Sequence, residues 1–184
     1  MVVDQPTRIV LTVRLPNACM RRGAANAWRN ILRASNQRNA VDSMVVGAYH
    51  TATGRYHSKI NESPYPTDEQ LEQITSKDPA RLLQQADAAI REKDQFRAAA
   101  VIQRYGQLGH AARPVFDLML GYATSQDGAL HAEKYYRTLS EEYRTTREAF
   151  RWRQMVALAR VTASEAGNPS PGYAEACGLL NVGT

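Results

Sequence analysis

The sequence predicts a mainly α protein: antiparallel helical hairpins, arranged as a bundle or a short α-solenoid, preceded by a basic N-terminal arm with short strands. Three observations predict it. Apolar residues recur at helical spacing through most of the chain after residue 66. Capping residues and prolines stand where successive helices should begin. Charge is unevenly divided, with residues 1–63 carrying a net +6 and residues 64–184 a net −1.

The 184 residues make one domain, or a domain with an appendage. A chain of this size buries roughly 70 % of its unfolded surface, so it needs no disulfide or metal staple. Cys19 and Cys177 form no Cys-x-x-Cys pair, which excludes a cysteine-rich zinc site and fits a reducing compartment. The N-terminus carries Asp4 and interrupting charges, which makes a poor signal peptide. No apolar run reaches the ~18 residues of a membrane span. The expected location is cytoplasmic.

The arm comes first. Residues 8–15, bounded by Pro6 and Pro16, are β-branched and short, and read as a strand. Residues 23–41 are amphipathic, with Trp28, Ile31, Leu32 and Ser35 on one side and Arg22, Asn26, Arg29 and Arg33 on another. Residues 44–49 form a second short apolar run, a pairing partner for the first. Pro64 and Pro66 mark a boundary, giving an arm or small α/β subdomain over 1–63 and a helical domain over 64–184. The first third is either a distinct basic arm or the cut end of a longer chain.

Helices follow from Thr67. Its hydroxyl can cap an acidic first turn, Asp68-Glu69. Asp78-Pro79 starts a second helix with Leu82, Leu83, Ala86, Ala89 and Ile90 on one face. After a break at Lys93-Asp94, Phe96, Ala99, Ile102 and Tyr105 open a third, closed by Gly106 or Gly109. Pro114 begins a fourth that is nearly all apolar, which predicts burial on most sides. Asp127 can cap a fifth, with Leu130, Tyr135, Leu139 and Tyr143 clustered. Thr145 to Glu148 has the spacing of a capping box and predicts a sixth, ended by Gly167. Pro171 begins a last short helix.

The stretch ADAAIREKDQFRAA (86–99) resembles a tetratricopeptide repeat across its inter-helix turn. Small residues sit where such helices approach, and Phe96 lies where an aromatic is usual. GALHAEKYY (128–136) is similar to the second helix of such a repeat, so the resemblance extends over residues 79–144. It implies stacked hairpins with a protein- or peptide-binding surface. The segment DGALHAEK (127–134) also resembles helical parts of questin-oxidase-like proteins, His-rich all-α oxygenases sometimes joined to a Rieske module. That resemblance implies a metal-dependent redox enzyme of which this chain is a C-terminal helical part.

The chemistry-bearing residues are few. There is no Gly-rich phosphate loop, no Gly-x-Ser-x-Gly and no His-Glu-x-x-His. His50 and His57 read as exposed polar residues. If antiparallel helices bring His110 and His131 together, they and Glu133 can hold iron or zinc. The plainer role of His131 is a hydrogen bond to a neighbouring helix end. Aromatics and arginines interleave over 135–153, but acids lie among them, so ion pairs on a solvated face are expected. Arg22, Arg29 and Arg33 face no acid between Asp4 and Asp42, which suits nucleic acid or another anionic surface. The leading expectation is a non-catalytic interaction module with no cofactor. The redox enzyme and nucleic-acid binding are the alternatives.

Overall fold

The computed structural model describes residues 17–57, 66–125, 132–167 and 172–182. These residues form α-helices: α1 (Asn17–Ala34), α2 (Gln37–His57), α3 (Asp68–Glu72), α4 (Pro79–Arg91), α5 (Gln95–Gln107), α6 (Ala112–Ala123), α7 (Ala132–Thr145), α8 (Glu148–Glu165) and α9 (Tyr173–Leu180). Among them no strand appears, and the fold is mainly α as expected. No described helix is long and apolar enough to cross a membrane.

The arm departs from its reading. Residues 8–15 lie outside the described residues. Residues 44–49, read as a strand, are the middle of α2. Ala40, Ser43 and Gly47, three or four apart, give that run a packing face of helical period, and this outweighs its β-branched content. The amphipathic stretch 23–41 is two helices, broken at Ser35-Asn36, because the Asn36 side chain caps α2 by accepting from the Asn39 N–H (3.0 Å).

The caps after residue 66 were more legible. Thr67 and Gln70 form a reciprocal capping box on α3. Asp78 accepts from the Arg81 N–H (2.7 Å), and Asp94 from the Arg97 N–H (3.0 Å). The box expected at Thr145 does not form. The Thr145 hydroxyl donates back to the Glu141 carbonyl (3.0 Å) in the last turn of α7. Helix α8 starts after Arg147 with no side-chain cap.

The core is organised around α8. Every residue from Gln154 to Val161 is buried. Helices α4, α5, α6 and α7 all pack on it, most extensively α5 and α7. This is a bundle around a central helix, since stacked hairpins would keep α5 away from α8. The all-round burial expected of α6 belongs to α8 instead. In α6 only Val115 and Met119 are buried. Gln154 and Arg160 disguise α8 in the sequence, and Arg160 spends its guanidinium over the Phe96 ring (5.3 Å). The core cluster runs from Ile74 to Ala166, and no described residue of α1 or α2 joins it.

Cross-ties fix the bundle. Trp152 stacks on Tyr105 (6.2 Å, 10° between planes) and donates its indole N–H to the Ile102 carbonyl (2.8 Å). Gly106 leaves the space that this indole fills. The Tyr122 hydroxyl donates to Asp87 (2.6 Å), joining α6 to α4. Arg104 donates to the Leu71 carbonyl (2.9 Å), joining α5 to the end of α3.

Candidate interaction surface

Helix α1 lies between two neighbours. Its Trp28 side meets α2, where the indole covers Gly47. A Cβ there would stand 3.2 Å from Trp28. The Trp28 indole N–H donates to His50 Nδ1 (3.0 Å). The opposite side of α1 meets α7 through polar groups. Asn26 donates to Glu142 (3.0 Å), Arg29 forms an ion pair with Glu142, and Asn30 reaches Glu141 (3.5 Å). Arg137 donates to the same Glu141 carboxylate (3.2 Å). These bonds, Arg137 first, hold the Glu141 carboxyl below the usual carboxylate range despite partial burial. Burial, and then the neighbouring Arg33, pull the Arg29 guanidinium below its ordinary value.

The predicted basic face is therefore partly engaged from within. Arg29 is held by Glu142. Arg33 is exposed and donates to Asn30 (3.3 Å). Arg22 belongs to α1, but its side chain is outside the described set. Sequence proximity showed no acid near these arginines because the acids come from a helix more than a hundred residues on.

The histidines separate. His110 packs on Tyr105 (4.8 Å) and donates through Nε2–H to the Lys77 carbonyl (3.0 Å), tying the end of α5 to the start of α4. Here an imidazole holds a freed carbonyl, the role expected of His131. His131 itself lies outside the described residues. Glu133 is exposed in the first turn of α7. Among the described residues no three His, Cys, Asp or Glu side chains gather as a metal site needs. A cleft beside Tyr122, Tyr135, Val161 and Glu165 holds only about 10 Å³, on the order of one water.

The arginines of 135–153 divide their roles. Arg137 makes the expected ion pair with Glu141. Arg147 and Arg153 lie over the Phe150 ring (5.0 and 4.7 Å), and Arg151 over Tyr143 (5.6 Å). A ring face inside reach competes well with a solvated carboxylate for guanidinium.

One surface was not singled out from the sequence. Helix α2 uses Ala40, Ser43, Gly47 and His50 on the side toward α1. Val41, Val45, Ala48, Tyr49 and Ala52 follow the opposite side, and all are exposed. Val45 and Tyr49 are 64 % and 65 % exposed, and Met44 beside them 55 %. The period of three and four that signals this stripe was present, but reading 44–49 as a strand hid it. No family model, curated protein or solved structure matches the chain.

Proposed function

We propose that this protein is a non-catalytic interaction module: a helical scaffold that presents a hairpin surface to a protein or peptide. The observation that supports it is the pair of opposed faces on α2. One face is used against α1, and the other exposes a continuous apolar stripe. Isolated exposed apolar residues are ordinary, but a patch of several hundred Å² on one helix face marks docking. Nothing in the bundle core depends on that stripe, so covering it requires no rearrangement of α4 to α8.

A photoreactive residue placed at Val45 tests the reading in cells. Ultraviolet light should produce a discrete protein adduct. The same residue at Arg113, which is exposed on α6, should produce none. Equal yields at both positions, or no adduct from Val45, would contradict a docking role for α2.

A further inference from the structure

We propose that the outer face of α2 pairs with the same face of a second copy of this chain, the two helices antiparallel about a two-fold axis near Val45 and Ala48. The inference rests on the docking role of α2 and names its occupant. Val41, Val45, Ala48 and Ala52 are spaced by four, three and four residues, the seam of a two-helix coiled coil. Met44 and Tyr49 flank that seam on either side, where they can fold over a partner helix. A two-fold axis makes any such seam its own complement, because each residue meets its mate in the other copy.

Area and charge choose the same arrangement. The exposed parts of Val41, Met44, Val45, Ala48, Tyr49 and Ala52 come to roughly 600 Å², so a pair would bury about 1,200 Å², the lower edge for a specific interface. Arg38 and Asp42 stand toward the N-terminal end of the same face, both exposed. Parallel pairing would set Arg38 against Arg38 and Asp42 against Asp42. Antiparallel pairing sends the two Arg38 side chains to opposite ends and places Asp42 beside the partner helix's C-terminal half, where Thr51 and Ala52 carry no charge. Two copies of the basic arm, each net +6 over residues 1–63, still repel at longer range. Salt should therefore tighten this association, whereas it would weaken capture of an acidic peptide by the same stripe.

Equilibrium sedimentation of the purified full chain tests the proposal. The expected result is a monomer–dimer equilibrium that shifts toward dimer as salt is raised. Val45→Glu should sediment as monomer with unchanged helical circular dichroism, since Val45 packs against nothing in one copy. A monomer at every concentration and salt, or a Val45→Glu chain that dimerises like the wild type, would overturn it. The photoreactive residue separates the two claims. An adduct of twice the chain mass supports self-pairing. An adduct with a different protein, from a chain that sediments as monomer, overturns self-pairing and leaves the docking role standing. Absence of any adduct overturns both.

Discussion

A Cβ at Gly106 would lie inside the indole of Trp152, whereas one at Gly121, exposed in the middle of α6, would meet nothing. The same substitution at the two positions should therefore have opposite signs. Gly106→Ala should cost about 2–3 kcal/mol, from overpacking and a disturbed Trp152–Ile102 bond. Gly121→Ala should gain about 0.5–1 kcal/mol by lowering the backbone entropy lost in a helix. Urea unfolding of the two variants reads both. Tyr122 makes a second residue-scale case. Burial and then its bond to Asp87 push the Tyr122 hydroxyl up to about 12. Burial also works to raise Asp87, but the Tyr122 bond and Arg91 outweigh it and hold that carboxyl below its ordinary value. A lowered carboxyl stabilises the fold above its unfolded value and loses that contribution as pH falls. Tyr122→Phe should thus destabilise by about 1–2 kcal/mol near neutrality. Its deficit should shrink below about pH 4, as the wild type loses the charged acceptor, and again above about pH 10 as the unfolded tyrosine ionises. Denaturation profiles across pH check this. A deficit independent of pH would mean the hydroxyl serves packing rather than Asp87.

Helices differ in how much of themselves they show in sequence. Helices α3, α4 and α5 were legible because a cap and an apolar face agreed. Helix α2 was not, because valines favour strands locally and its packing face is made of alanine, serine and glycine, which carry little apolar signal. The Thr145 box misled because its spacing straddles a turn whose first two residues belong to α7's last turn. The polar seam between α1 and α7 was invisible for a different reason: its members are distant in sequence and joined only by folding. That seam carries its own prediction. Glu142→Gln removes the acceptor charge from Arg29 while keeping the shape. Hydrogen exchange should then speed in α1 and α2, with α8 unaffected. High salt should do the same to the wild type. Equal acceleration in α8 would mean the seam supports the whole fold. Acid should loosen the seam as well, because Glu141 sits below its ordinary range and its contribution disappears as it protonates.

Across the whole molecule, the sequence revealed helices and their approximate starts, but not which helix would be central. Centrality depends on packing from several sides, and α8 carries Gln154 and Arg160 into the interior, where pattern reading expects only apolar residues. The resulting account has a self-sufficient bundle around α8 and a hairpin, α1 with α2, resting on it through polar contacts. A surface can be free for docking only if the core does not need it. Thermal unfolding of residues 64–184 alone tests this most directly. The account predicts strong helical circular dichroism and a cooperative transition within a few degrees of the full chain's. A broad, non-cooperative melt would contradict it, placing α1 among the elements that hold the core together.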